Sequence, residues 1–522
     1  MSGFVITRRM LMQVAATLPA AGLLTGFDDT AWAQSSGKTL TLAIPNSPNT
    51  LDPINAVLQD PMVINQCIFE NLVEYDVDGV LRPQLARALP EISADKLTYT
   101  FDLRDDVQFQ NGQPMTSEDV KYSFESMLDK KRNAARRVIF EKIARVETDG
   151  PHRVHVILSE PYAPWLNFLT KYMGIWPAGS RERYGDDYFK MKPVGIGTGP
   201  GIFEEWRPNQ SVTLKRNPNY WDKSLPKWER LVVKFVPEDA TRTAYLLARQ
   251  ADIIGAPAPR DFASLSKRSG LAGEVRSTFG GWSTLMMNNA KPPFDDINVR
   301  RAVNWAIDRQ KLAQYAFFGM VDPCTLPAPR QAWWYDAEAD GSIGYDPEKA
   351  KGFLAQSKHA TDAAFEMTLP ATPYLLDLKD AAVAIQSQLQ AVGIRCTLKM
   401  TEPLVALGQA KKGELQALLM NLTSPGEPTY LLGQNFTENQ PYSKVSGYAA
   451  PEIADLLKQA YAENDQAALK PIYAKILKKI ADDCPYAWLG FLNAANLWRG
   501  NVTDFRVNQG ITMDVRSVGL KA

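Results

Sequence analysis

Leu231-Val232-Val233-Lys234-Phe235-Val236 is an apolar run broken by one lysine. Glu238 to Arg249 follows as a helical stretch, and Ala251-Asp252-Ile253-Ile254 returns as a strand. Strand, helix and strand in succession make a βαβ-like unit. The same alternation runs outward in both directions. Upstream, Leu97, Tyr99, Phe101 and Leu103 alternate as a half-buried strand does. Thr116 then stands as an N-cap with Asp119 three residues on, and Val120, Phe124 and Leu128 line one helical face. Downstream, Val299, Ala302, Val303, Ala306 and Ile307 line a helix. Asp346-Pro347 reads as an N-cap with Pro at the first helical position. Leu378, Ala382, Ile385 and Leu389 make another face. Gly393 ends that helix before a strand of Ile394, Cys396, Leu398 and Met400. Two more helices are expected at 452–463 and 467–481. The chain is therefore α/β, in two lobes, with no repeat and no low-complexity stretch.

Composition narrows the function. The chain has 522 residues, 45% hydrophobic and 22% charged, an ordinary globular balance for two to four domains. Lys plus Arg and Asp plus Glu are both 58, so no global field draws it to nucleic acid or anionic membranes. Three His leave little for metal or His-dependent chemistry. His152 and His155 point to opposite faces of a predicted strand, and His359 reads as a surface residue. No nucleotide fingerprint and no G-x-S-x-G elbow survives inspection. No cofactor, metal site or catalytic residue is expected. Cys67, Cys324, Cys396 and Cys484 lie far apart and read as buried free thiols.

The first 33 residues read as an address. Thr7-Arg8-Arg9-Met10-Leu11-Met12 precedes an apolar stretch from Val14 to Leu24, too short to span a bilayer. Ala31-Trp32-Ala33 supplies the small-x-small cleavage pattern, with Ala31 and Ala33 as the small residues. Arg8 and Arg9 resemble a twin-arginine export signal, although Gln13 stands where a Lys is usual. No Cys lies near the cleavage site, so a soluble, periplasmic, unlipidated protein is expected.

A family resemblance then covers nearly the whole mature chain. It rests on Gly197-Thr198-Gly199-Pro200, Phe203 and Leu214-Lys215-Arg216-Asn217-Pro218-Asn219-Tyr220-Trp221. Leu51-Asp52-Pro53, Phe69-Glu70-Asn71-Leu72-Val73, Phe101-Asp102-Leu103-Arg104, Pro293-Phe294-Asp295-Asp296 and Tyr345-Asp346-Pro347-Glu348 fall in the same order. The chain resembles the extracytoplasmic solute-binding proteins of ABC importers, in the class of oligopeptide, dipeptide and nickel receptors. Residues 197–201 suit a rigid turn with special backbone conformations, and Asn217-Pro218 with Asp222 a solvent-facing loop; both are scaffold.

The resemblance implies a two-lobed periplasmic-binding-protein fold with an extra subdomain inserted in the first lobe. Lobe one would hold 34–76, 188–282 and 491–522, the inserted subdomain 77–187, and lobe two 283–490, with crossings near 282 and 490. It implies capture of a peptide-like solute and delivery to a membrane permease driven by a cytoplasmic ATPase, by a monomer that is not an enzyme. The alternatives are a non-peptide cargo (metal chelate, saccharide or opine-like compound) and a secreted enzyme. Peptide-binding relatives hold the amino terminus with an Asp shortly before an Asp-Pro pair. Here Glu427-Pro428 replaces that pair and Ser424 stands where the Asp is expected. Ser424, Asn421 and Tyr430 are the candidate pocket residues. A hydroxyl substitutes poorly for a carboxylate beside an ammonium, so free-amine peptides are expected to bind weakly.

Overall fold

The computed structural model describes residues 38–521, apart from Val57, Asp60, 372–375, Pro425 and 509–512 and the side chains of Phe279 and Pro403. The export and cleavage residues Arg8, Arg9, Ala31 and Ala33 lie outside the described residues.

The βαβ unit is present: strand Arg230–Phe235, helix Asp239–Leu247 and strand Ile253–Gly255. The two strands do not pair with each other. Thr39–Ile44 lies between them and is parallel to both. Its alternating Thr39-Leu40-Thr41-Leu42 fits a pleat, with Leu40 and Leu42 fully buried. Strands Ser211–Arg216 and Gly201–Arg207 extend this half of the sheet as antiparallel neighbours.

Two long strands carry the sheet into its other half. Leu271–Met287 and Tyr486–Arg499 run antiparallel. They pair regularly from Leu271 opposite Arg499 to Ser277 opposite Asn493, then lose register and resume at Trp282 opposite Phe491. Beyond the break, Ala417–Thr423, Ala364–Pro370 and Arg395–Thr401 complete one eleven-stranded sheet. The apolar clusters change at the same place. Leu40, Leu42, Leu231 and Val233 pack into one cluster with the helix Met62–Ile68. Trp282, Trp488 and Phe491 pack instead with the helices Pro428–Phe436, Pro451–Tyr461 and Gln466–Asp483. Leu285 and Met287, on the opposite face, pack with Ile297–Ala306 and Lys379–Ala391. Each half thus buries its own core, and the two strands with a register break join them. At a second irregularity, between Ser283 and Thr284, Gly490 lies so close to the short strand Val321–Asp322 that an added Cβ would sit 2.4 Å from the Asp322 carbonyl oxygen.

A separate four-stranded sheet, Glu91–Ile92, Thr98–Asp102, Arg153–Leu158 and Ile143–Thr148, stands apart from the large one. Tyr99 and Phe101 face its core against Trp165, with ring centroids 4.8 and 6.3 Å away. Helix Ser117–Leu128 packs beside it, and the Thr116 N–H donates to Asp119 Oδ2 at 2.7 Å. Among the described residues no helix is long and apolar enough to cross a membrane.

Local readings met three differences. Gly197, Gly199 and Gly201 do not have positive φ; only Gly195 of that stretch does. They are required by close approach instead: a Cβ on Gly197 would lie 1.9 Å from the Ile68 carbonyl oxygen, and one on Gly199 2.3 Å from that of Cys67. Asn217 is buried rather than solvent-facing, because its amide donates to the Gly199 carbonyl at 3.1 Å and locks the two motifs together. His359 is half-buried between Asp295 and Asp362, 3.3 Å from each. The Asp346 cap is as read: its Oδ1 accepts from the Glu348 and Lys349 amides at 3.0 Å. Asp346→Ala should cost about 1 kcal/mol, the usual worth of an N-cap, measured by urea unfolding.

Candidate ligand-binding site

A cavity of about 780 Å³ lies where the two halves and the small sheet's segment meet. It is in the size class that encloses a drug-sized ligand. One side comes from the first half: Gln59, Phe69, Glu74, Gln84 and the C-terminal residues Asp514 and Arg516. Ala163, Asn167 and Lys171 come from the segment around helix Trp165–Tyr172. The other side is Trp333, Trp334, Ser424, Glu427, Glu463 and Tyr473 of the second half.

The first wall is charged. Glu74 sits on the short strand Val73–Tyr75, opposite Arg82. Arg516 Nη2 is 2.7 Å from both Glu74 Oε2 and Asp514 Oδ2, and its Nε donates to Asp514 Oδ1 at 3.0 Å. Gln84 Nε2 adds a second contact to Glu74 Oε2 at 3.0 Å. Two carboxylates thus share one guanidinium. Burial pushes Glu74 above its ordinary pKa, with Arg516 pulling the other way. Partial desolvation alone would raise the half-exposed Asp514, but Arg516 beside it holds its carboxyl below the usual range. No hydrogen bond joins Glu74 Oε1 or Arg516 Nη1 to another described residue. The wall therefore keeps one acceptor and one donor group for a guest.

Behind this wall stands Glu70, fully buried and raised above its ordinary pKa by burial. It accepts from Tyr220 Oη at 2.7 Å and Trp221 Nε1 at 3.1 Å. Two motifs 150 residues apart in sequence therefore form one supporting layer. It is not among the lining residues.

The opposite wall is aromatic around one carboxylate. Trp333 and Trp334 pack on Tyr473 with centroids 5.5 and 5.6 Å apart. Asp340 anchors the loop that brings them: its Oδ1 accepts from the Thr325 amide at 3.0 Å and its Oδ2 from Tyr335 Oη at 2.8 Å. Glu427 caps helix Pro428–Phe436, with Pro428 at the first helical position. Its Oε1 accepts from the Thr429 amide at 3.1 Å and its Oε2 from the Tyr430 amide at 2.7 Å and from the Thr429 hydroxyl. Burial raises its pKa.

The structure separates the three candidate residues. Ser424 lines the cavity; its amide donates to Gly280 O at 2.8 Å and its hydroxyl accepts from the Gly426 amide at 3.2 Å. Asn421 is buried away from the lining, and its Nδ2 donates to Leu376 O at 2.8 Å. Tyr430 lies outside the lining as well, its ring edge-on to Phe168 at 5.4 Å. Glu74, Asp514, Arg516 and the Trp333–Tyr473 wall were not singled out from sequence. Asp514 and Arg516 lie more than 400 residues from Glu74, and only the alternation of charged Asp514 and Arg516 with apolar Val515 hints at a half-buried extended segment.

Elsewhere, all four cysteines are buried free thiols. His155 Nδ1 meets Thr100 Oγ1 at 2.9 Å. Among the described residues no group of three or more His, Cys, Asp or Glu is placed to hold a metal ion.

Comparison with known proteins gives a consistent result. The model of bacterial extracellular solute-binding proteins, family 5 (middle), matches residues 80–443. The chain is 28% identical over 484 residues to the probable D,D-dipeptide-binding periplasmic protein DdpA of Escherichia coli (strain K12), covering 91% of this chain and 92% of that one. It is 26% identical over 484 residues to the glutathione-binding protein GsiB of the same strain, covering 90% and 92%. Its fold is that of the Helicobacter pylori periplasmic binding protein DppA, solved with the peptide STSA: TM-score 0.77, 23% identity, 93% of this chain and 98% of that chain.

Proposed function

The chain belongs to family 5 of the bacterial extracellular solute-binding proteins, the periplasmic substrate-binding components of ABC importers, and from that premise we propose that its cargo is a small peptide-like solute bearing an ammonium group. The observation that carries this reading is the Glu74–Arg516–Asp514 wall of the cavity. Two carboxylates against one guanidinium leave the wall short of one positive charge, and a guest ammonium supplies it at Glu74 Oε1. Arg516 Nη1 beside it suits a carboxylate or carbonyl of the same guest. Relatives named for D,D-dipeptides and glutathione are compatible with such a guest.

This revises the expectation of weak binding to free amines, which rested on Ser424 alone. The missing carboxylate at that position is offset by acids on the facing wall. Ser424 remains a candidate contact; Asn421 and Tyr430 are proposed as supports for the segment that carries it.

The finer features belong to the same reading. The chain is exported by a twin-arginine signal through Arg8 and Arg9, cleaved after Ala33, unlipidated, and acts as a monomer without turnover. Its lobes divide as 34–76, 188–282 and 491–522 against 283–490, with 77–187 as the inserted subdomain; the register break between Ser277 and Trp282 supports the first crossing. Closure follows from the cargo's higher affinity for the closed form. Changing Arg8 and Arg9 together to Lys should leave precursor in the cytoplasm; mature protein at normal periplasmic levels would remove the twin-arginine assignment. The cargo is tested by mass spectrometry of what co-purifies with the native protein. A co-purified solute with no basic nitrogen would overturn the reading.

A further inference from the structure

The segment carrying the small four-stranded sheet touches the second half at one end of the cavity. The Ala163 amide donates to the Tyr461 carbonyl oxygen at 2.9 Å. The rings of Tyr162 and Tyr461 lie 5.1 Å apart. Lys96 Nζ reaches the Ala462 carbonyl oxygen at 2.7 Å and Glu463 Oε1 at 3.3 Å. Ala163 and Glu463 also line the cavity, whereas Lys96 does not. The contact is therefore the cavity's end wall, and it is made of groups from both halves.

Lys96 is also an unusual residue for its place. It closes the tight turn from Ser93, its amide donating to Ser93 O at 2.8 Å, with φ at +60°. Glycine or asparagine takes that conformation at lower cost. A lysine there keeps a strained backbone and gains only an arm, and the arm ends on the second half. Backbone strain retained at such a position points to use.

We propose that Lys96, Tyr162 and Ala163 close on Tyr461, Ala462 and Glu463 as a clasp that holds the receptor shut and seals that end of the cavity. The two long sheet strands permit the motion; the clasp stabilises its closed end-point. Lys96 then governs how long the receptor stays closed without touching the guest.

The test needs no cargo, so it stands or falls apart from the cargo assignment. Ala163→Cys with Ala462→Cys puts thiols on two segments held together by the Ala163–Tyr461 backbone hydrogen bond and leaves the Tyr162–Tyr461 ring contact in place. The native thiols are buried and do not compete. The unliganded double variant, full length and folded, is exposed to oxidised glutathione, and the rate of the mapped cross-link reports how often the clasp closes. Adding Lys96→Gly relaxes the turn while removing the arm, so any slowing is not a damaged fold; the melting temperature confirms it. The cross-link should form, and Lys96→Gly should slow it about two- to fivefold, the range for a half-exposed charged contact. No cross-link in the folded protein, or an equal rate with and without Lys96, overturns the clasp.

Discussion

Arg516→Met should destabilise the protein by about 2–3 kcal/mol, below the range for removing one partner of a fully buried ion pair because solvent still reaches the Glu74 and Asp514 side chains. Methionine fills much of the volume, so the loss is electrostatic more than steric. The substitution leaves Asp514 and Glu74 facing each other with no cation, and Glu70 behind them loses the attraction of the same guanidinium. The pH dependence follows by sign. In the wild type, Asp514 is held below its ordinary value of 3.8, so its stabilising contribution is complete above that value and is lost as pH falls through the lowered one. Without Arg516 that carboxyl joins Glu70 and Glu74, which burial raises above 4.5. Groups with raised folded values bind more protons folded than unfolded, so each subtracts stability as pH rises from the ordinary value through the raised one. The variant's deficit should therefore be smallest in mild acid and grow toward neutral pH. Urea unfolding of both proteins across that range checks it. A deficit independent of pH would mean that Arg516 acts by packing alone.

This wall was hidden from sequence for a physical reason. Local periodicity reports which face of an element is buried, and it located the strands and helices of the β-α-β stretch from Leu231, the Thr116 and Asp346 caps and the late helices within a few residues. It cannot report which distant elements meet. Thr39–Ile44 has a clear two-residue period, but nothing near it in sequence says that it enters between Arg230–Phe235 and Ile253–Gly255. The same holds for Glu74 and Arg516. Each reads locally as an ordinary surface charge.

The glycines at 197 and 199 teach a related point. Their type was legible and their reason was not. Chain proximity to Cys67 and Ile68, not a left-handed backbone, excludes a side chain there. Glu427 was legible as a residue replacing an Asp before Pro, and its capping of Pro428–Phe436 follows from that Glu-Pro placement. That Glu427 would also line the cavity depends on where the helix docks, which the packing of Trp333, Tyr473 and Leu431 decides. Asn421 lies outside the cavity lining for the converse reason. It lies in strand Ala417–Thr423, opposite Ser283, and its side chain closes a gap to Leu376.

If Glu74 Oε1 receives the guest's ammonium, two changes made on opposite partners should cancel. Glu74→Gln keeps the side chain's shape and an acceptor for Gln84 while removing the charge. Affinity for the free-amine solute should fall about a hundredfold, or about 2.7 kcal/mol, within the range for truncating one partner of a buried charge pair. N-acetylation of the solute should cost the wild type a similar factor, since it removes the same charge from the other side. The variant, however, should bind free and acetylated solute about equally, because the interaction each change destroys is already gone. That non-additivity separates recognition at Glu74 from general damage to the wall, which would lower affinity for both solutes alike. Calorimetry on the four combinations, using the co-purified solute and its acetyl derivative, gives the coupling directly. Losses that simply add would place the ammonium elsewhere, with Glu427 and its aromatic surround the next position to probe.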